Sequence, residues 1–470
     1  MDINQIKKLK ESLFKPSQSG WMTLEEENKK KMYTYSEGYI SFLNEAKTER
    51  MCVTYFKNLL IENGFKNIDD CQTLKPNDKV YYINKEKNIY AAIIGQEDNL
   101  NIIGAHIDSP RLDLKPNPLY ESDELALFKT HYYGGIKKYQ WLNIPLSMHG
   151  VIVKKDGTKI QIDIGEKEED PIFTIADLLP HLSNWQENKT LYEAIDPENL
   201  NILVGSIPYT KDKINENIKL NIISILNKEY GITERDFVSS EIEFTPAFKS
   251  KSLGFDKSLI AGYGQDDRAC TYTSMTALLN IENPKKTAIC ILADKEEIGS
   301  MGNTGMSSTS FDYFIEKILK KINSTKTINE IYNDSLVLSA DVTGAYNPNF
   351  PDIYEKNNES YLGHGLSLIK YTGSASKGGA SDANSEYVAL IRKIFEENNI
   401  TYQSSEMGKI GIGGGGTIAY ILANRGMNVI DCGISLLSMH SPYEISSKFD
   451  IYNAYQGYIS FYKTDEILKK

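Results

Sequence analysis

Four apolar runs of this chain end in residues that can carry a proton or hold a cation. NIIGAHID closes on His106 and Asp108, CILADKEE on Glu296 and Glu297, LVLSAD on Asp341, and ISLLSMH on His440. A fifth segment, GQDDRAC, sets Asp266 and Asp267 just ahead of a helix predicted to start near Arg268. Short apolar runs bounded by polar residues read as strands, and in open α/β sheets ligands bind beyond the carboxyl ends of the strands. Four strand ends and a helix start therefore deliver carboxylates and imidazoles to one edge. Buried carboxylates repel one another and are costly to desolvate, and cations relieve both costs. Nitrogen and oxygen donors without thiolate suit zinc, with cobalt or manganese as alternatives.

Each segment alone has a plainer meaning. A histidine near a strand end is commonly a hydrogen-bonded structural residue, Glu-Glu is commonly two exposed carboxylates, and Asp-Asp before a helix is first of all a cap. Asp341 alone would cap a turn, and His440 alone would be a core histidine. The joint order His-x-Asp, Asp, Glu-Glu, Asp, His is what points to a site.

The elements that must position these residues follow from periodicity. Residues 3–15 and 36–63 read as helices, the second closing at Gly64, a plausible C′ glycine. KVYYI, NIYAAIIG and NLNIIGAHID have strand character. Beyond residue 115, HYYGGIKKYQWLNIPLSMHGVIVKKDGTKIQIDIG alternates apolar and polar residues between glycine-rich turns, the signature of antiparallel strands, and TIADLLPHLSNWQE follows as a helical patch. After residue 245, strand and helix patterns alternate: TAICILAD, SFDYFIEKILKKI, SLVLSADV, SEYVALIRKIFEENN, MNVIDCGIS. That order predicts an α/β fold, a three-layer αβα domain with a mostly parallel sheet covered on both faces. The domain is discontinuous, residues 1–114 and 245–470, and is interrupted by a β-rich insertion at 115–244. The glycine clusters KGGAS (377–381) and GIGGGG (411–416) read as tight loops, since neither fits a phosphate-binding fingerprint.

Composition narrows the classes. With 52 Lys and Arg against 63 Asp and Glu the formal charge is −11 over 470 residues, which argues against nucleic acid as a partner. The five cysteines are scattered without a CxxC pair, so neither a disulfide framework nor a thiolate zinc site is expected. The N-terminal MDINQIKKLKESLF lacks the apolar core of a secretory signal, and no apolar run has the length of a membrane span. A cytoplasmic protein with no membrane partner is expected.

In order along the chain, AHIDSPRLDLKP, GQDDRACTYTSM, DKEEIGS, SADVTGA and SMHSPYE resemble the aspartyl aminopeptidase and vacuolar aminopeptidase family of dinuclear zinc metallopeptidases, and YGGIKKYQWLNIPLSMHGVIVKKDG resembles that family's dimerisation domain. The resemblance runs from residue 40 to 463. It implies that Asp266 bridges two metal ions, His106 and Asp341 completing one and Glu297 and His440 the other. Asp108 would orient His106 through its other ring nitrogen, and Glu296 would be the general base. Two ions would lower the pKa of a shared water and polarise the scissile carbonyl. The substrates implied are peptides with a free N-terminus, ending in acidic or neutral residues, and the basic residues of a specificity pocket have only Lys370 and Lys409 as candidates. The family places a histidine of the dimerisation domain in the partner's site, for which His181 in HLSNWQENK is the candidate, and His364 lies where relatives carry a histidine near the substrate carbonyl. Dimers assembling into a tetrahedral particle of twelve subunits are implied as well. One departure is Asp267, where other members carry Asn. The alternatives are a related di-zinc carboxypeptidase or deacylase, a non-catalytic assembly protein, and, more distantly, a nucleotide-binding module built on GIGGGG.

Overall fold

The computed structural model describes residues 2–14, 19–374 and 378–468. Nine strands form the large sheet: β1 (Lys66–Asn67), β2 (Lys79–Asn84), β3 (Asn88–Ile93), β4 (Glu97–His106), β5 (Lys286–Ala293), β6 (Leu336–Ser339), β7 (Leu366–Ile369), β8 (Tyr402–Ser404) and β9 (Asn428–Gly433). Their order is β1-β2-β3-β5-β4-β6-β9-β7-β8. Strands β3, β7 and β8 run against the other six, so the sheet is mixed and mostly parallel.

Both faces of this sheet are covered, which is why β3 and β5 are buried at every position. Successive side chains of β5 point to opposite faces. Ala288, Cys290 and Leu292 join a core with Phe42, Phe56, Leu278 and Tyr458, whereas Ile289, Ile291 and Ala293 join one with Phe311, Phe314 and Ile418. The first core lies under helices Glu26–Glu45, Glu49–Glu62, Gln265–Leu279, Ser385–Glu397 and Lys448–Tyr462, the second under Ser310–Lys321 and Ala419–Ala423. The αβα sandwich expected from the alternating pattern is therefore present.

The helix expected over 36–63 is in fact two, Glu26–Glu45 and Glu49–Glu62. The break has a local cause. Thr48 caps the second helix, its hydroxyl accepting the Met51 N–H at 3.3 Å, and the buried Lys47 donates to Glu166 and to the Pro246 carbonyl, each at 2.7 Å. Gly64, in the left-handed region at φ +82°, ends the second helix as expected.

A second sheet of six strands is antiparallel throughout, in the order Lys159–Ile164, Leu146–Val153, Ser240–Pro246, Arg111–Ser122, Leu125–Tyr133, Ile202–Gly205. It packs its own core around Phe128, Trp141, Phe237 and Phe244. TIADLLPHLSNWQE, expected to be helical, forms only the short turns Pro180–Leu182 and Asn184–Glu187 with no buried residue. Ile175 alone of its apolar side chains joins the core of the antiparallel sheet, whereas Leu182 and Trp185 stand 56% and 63% exposed. No helix of the described residues is long and apolar enough to cross a membrane.

One close approach ties the sheet to the loops at its carboxyl edge. A Cβ on Gly433, the last residue of β9, would lie 1.7 Å from the Asp341 carbonyl oxygen. Gly433→Ala is expected to lower stability by at least ~1–3 kcal/mol, the usual cost of overpacking, and to displace Asp341. Thermal melting tests this, and a variant that melts with the native protein would show that the Asp341 backbone gives way freely.

Candidate metal centre

The carboxyl edge of the sheet gathers the residues singled out in the sequence. His106 is the last residue of β4, and Asp341 lies two residues beyond β6. After β5 the chain turns through Lys295 in the left-handed region, φ 67°, into the turn Glu296–Ile298. Asp266 and Asp267 open the helix Gln265–Leu279 in non-helical conformations, joined by a cis peptide bond. His440, at φ 63°, sits on the loop beyond the short strand Ser435–Leu436.

The two oxygens of Asp266 face different imidazoles. Its Oδ1 is 3.2 Å from His106 Nε2 and its Oδ2 is 3.2 Å from His440 Nε2. Asp341 Oδ1 stands 3.7 Å from His106 Nε2, and Glu297 Oε2 stands 3.4 Å from His440 Nε2. The arrangement is two half-sites, each a histidine and a carboxylate, sharing one aspartate. Ligand atoms of His106, Asp266 and Glu297 lie within 4.8 Å of one another, as do those of His106, Asp267 and Asp341. Asp267 Oδ2 accepts the His106 backbone N–H at 3.2 Å, while its Oδ1 is buried without a partner. With one oxygen committed to the backbone, Asp267 is less suited than Asp266 to bridge.

A ring of further contacts holds these side chains. Asp108 accepts the backbone N–H groups of Glu296 and Glu297, each at 3.2 Å, and the Tyr133 hydroxyl at 2.7 Å. His106 Nδ1 meets the Asp108 carbonyl at 3.1 Å and its Oδ1 at 3.4 Å, which leaves Nε2 facing Asp266. His440 Nδ1 meets the Gly135 carbonyl at 2.8 Å with the same result for its Nε2. Glu444 accepts the N–H groups of His440 at 2.8 Å and Asp266 at 3.1 Å. Sequence reasoning missed Glu444 and Tyr133. Glu444 stood in SMHSPYE beside the histidine that drew notice, whereas nothing near Tyr133 signalled that the antiparallel sheet reaches Asp108.

Electrostatics test the fit of a cation. Burial, reinforced by Asp341, Asp108 and Asp266, pushes the Glu296 carboxyl up to about 8. Burial also raises Asp341 and, with Asp266, raises Glu297. Burial works against charge on His440, yet Asp266 and Glu297 raise it to about 11. Negative charge thus exceeds what two histidines can offset, and Glu297 Oε1 is buried with no hydrogen-bond partner. An oxygen-and-nitrogen donor set with surplus charge and an orphaned carboxylate oxygen fits a zinc-type cation.

A cleft of about 700 Å³ opens over the centre, its lining including Gly135, Glu296, Asp341, Tyr371, Met407 and His440. Gly414, Gly415 and Gly416 of the GIGGGG loop line it too. His364 does not; it packs beside Tyr361, and its neighbours Gly363 and Gly365 donate to the Asp450 carboxylate at 2.7 Å, tying that loop to the helix Lys448–Tyr462. His181 lies exposed on the turn Pro180–Leu182 and does not line this protomer's cleft. Neither lysine proposed for a specificity pocket lines it: Lys370 pairs with Asp382, and Lys409 donates to the Asp352 carbonyl at 2.6 Å.

Carboxylates and imidazoles at the carboxyl edge of a covered mixed sheet make a candidate hydrolytic metal centre. The family model described as Aminopeptidase I zinc metalloprotease (M18) matches residues 42–462. A probable M18 family aminopeptidase 1 of Clostridium acetobutylicum is 48% identical over 459 residues, covering 96% of this chain and 98% of that protein. The vacuolar aminopeptidase 1 of Saccharomyces cerevisiae is 25% identical over 506 residues, covering 98% and 96%. The crystal structure of the M18 aminopeptidase of Thermotoga maritima superposes with a TM-score of 0.92 at 45% identity, covering 96% of this chain and all of that one. The chain belongs to the M18 family of zinc aminopeptidases, and it is a hydrolase.

Tyr133 connects the antiparallel sheet to the centre through one hydroxyl. Tyr133→Phe removes a charge-assisted hydrogen bond to Asp108, an interaction of about 1.5–3 kcal/mol. Zinc affinity is expected to fall about tenfold in a protein that remains folded. A competing-chelator titration measures this, and native affinity would show that Asp108 is held without the tyrosine.

Proposed function

We propose that the protein removes N-terminal residues from peptides, with Asp266 shared between two divalent ions. His106 and Asp341 would hold one ion, Glu297 and His440 the other, with zinc the expected metal and cobalt or manganese able to substitute. The observation that carries this reading is the Asp266 carboxylate, with an imidazole on each oxygen at 3.2 Å. When bound, the ions acidify water and polarise the scissile carbonyl. Glu296, in the cleft beside these residues, takes the proton from the attacking water and passes it to the leaving amine. Asp108 holds the Glu296 and Glu297 backbone and the His106 ring, so that base and ligands keep their spacing.

The charge of the cleft supports an aminopeptidase over a carboxypeptidase. Among the described residues its lining contains no Lys or Arg, so beyond the ions no side-chain cation is offered to a substrate carboxylate, and the remaining carboxylates favour an ammonium terminus. Of the acidic and neutral N-terminal side chains implied by the resemblance, the same charge favours neutral ones.

For assembly, the exposed Leu179, Leu182, Trp185, Leu191 and Tyr192 form an apolar face on the lobe that carries His181. A partner copy covering that face would make the insertion a dimerisation domain and bring His181 to the neighbouring cleft. A relative whose structure is entitled a dodecamer of S. cerevisiae mApe1 supports dimers building into twelve subunits. A cytoplasmic setting agrees with five free cysteines, four of them buried.

Amino-acid anilide assays on metal-loaded, chelated and Glu296→Gln protein test the chemistry. Activity is expected to need two ions per subunit and to fall by several orders of magnitude in the variant, on the order of the loss seen when a catalytic group is removed. Full activity in Glu296→Gln would sink the mechanism, and preference for N-blocked substrates would favour a deacylase. His181→Ala is expected to assemble normally by light scattering yet lose activity; an assembled, active variant removes His181 from the site.

A further inference from the structure

The cleft runs past the candidate metal residues to another carboxylate. Asp431 lies on β9, paired in register with Ser339 of β6 and Ile369 of β7. It lines the same cleft yet is only 1% exposed. Its Oδ1 has no hydrogen-bond partner among the described residues. The Ser339, Thr417 and Thr372 hydroxyls stand beside it and favour its charged form, without offsetting its burial. Asp431 belongs to neither group of candidate cation ligands at the centre, so the proposed chemistry leaves it unused. A buried carboxylate with no counter-charge is costly, and burial pushes this one up to about 7.

The surroundings indicate what would satisfy it. Ile369, Met407 and Ile410 give the cleft apolar walls, and exposure grades from 81% at Ile410 to 1% at Asp431. Apolar walls leading inward to a carboxylate suit a side chain with a methylene stem and a cationic head. Glu406 adds negative charge to the lining. The nearby base Lys370 is engaged by Asp382 instead of reaching into the cleft.

We propose that Asp431 is a specificity-determining residue that receives the cationic side chain of a basic N-terminal residue, lysine or arginine, from the peptide substrate. The assignment rests on the aminopeptidase reading above and extends it from neutral to basic residues. The Asp431 carboxylate takes hydrogen bonds from the ammonium or guanidinium head, the apolar walls cover the stem, and acidic side chains are excluded by repulsion.

Two measurements test it on the full chain. In the first, kcat/KM is determined for the anilides of lysine, norleucine and glutamate with the metal-loaded native protein and Asp431→Asn. Lysine is expected to exceed norleucine, its uncharged counterpart, by at least about tenfold, and that ratio is expected to fall by at least about tenfold in the variant. An unchanged ratio, or glutamate cleaved faster than lysine, overturns the proposal. In the second, calorimetry compares lysine amide with norleucine amide on the metal-free protein. Binding of lysine amide at least about tenfold tighter, a margin lost in Asp431→Asn, supports the assignment; equal binding of the two amides overturns it. Should the native protein cleave no anilide with any metal while still selecting lysine amide, the aminopeptidase reading falls and the subsite stands. Should Asp431→Asn fail to fold, as read by circular dichroism, the native protein's two lysine-to-norleucine ratios decide.

Discussion

The structure turns on one buried carboxylate with an imidazole on each oxygen. Asp266 can face both His106 and His440 only because the helix start that carries it is wedged between β4 and the loop beyond β9. Asp341 and Glu297 then fall beside one histidine each. Three carboxylates and two histidines this close leave surplus negative charge beside the cleft, a surplus that bound cations would offset. The sandwich supplies the rigid edge that keeps the like charges together.

The antiparallel sheet is more than an appendage. Tyr133 at the end of one of its strands donates to Asp108, and the Gly135 carbonyl just beyond fixes the ring of His440. Through these two contacts the antiparallel sheet and the loop after it orient both candidate histidine ligands. The ionic contacts of Lys47 with Glu166 and of Arg50 with Glu241 bind the same sheet to the helices of the sandwich. Its outer lobe, by contrast, exposes apolar residues that the protomer does not bury, which is the condition for association with another copy.

Charge distribution gives the cleft its chemical character. Away from the candidate metal residues its lining still holds Asp382, which Lys370 pairs, and Glu406 and Asp431, and among the described residues no Lys or Arg lines the cleft. The cleft is therefore electrostatically suited to the amine end of a peptide, and Asp431 adds a buried acceptor beyond apolar walls. The sequence drew notice to Lys370 and Lys409 as possible recognition residues, but Lys370 is engaged by Asp382 and Lys409 is turned to the Asp352 carbonyl.

The sequence by itself determined the αβα sandwich, because short, nearly continuous apolar runs, buried on both faces, alternate with amphipathic helices along the chain. It also determined which residue types stand at the strand ends, because a strand that stops at the sheet's carboxyl edge must place its next residues there. His106, Glu296, Glu297, Asp341 and His440 were legible for that reason. What only the tertiary structure decided was pairing between segments far apart in the chain: which oxygen of Asp266 meets which histidine, that Tyr133 and Glu444 brace the ligands, and that His364 turns away from the cleft. It also split the expected helix over 36–63, because Lys47 is drawn inward by Glu166 and the Pro246 carbonyl. Periodicity is a property of neighbours in the chain and reports burial, whereas hydrogen bonds across hundreds of residues depend on how the elements pack.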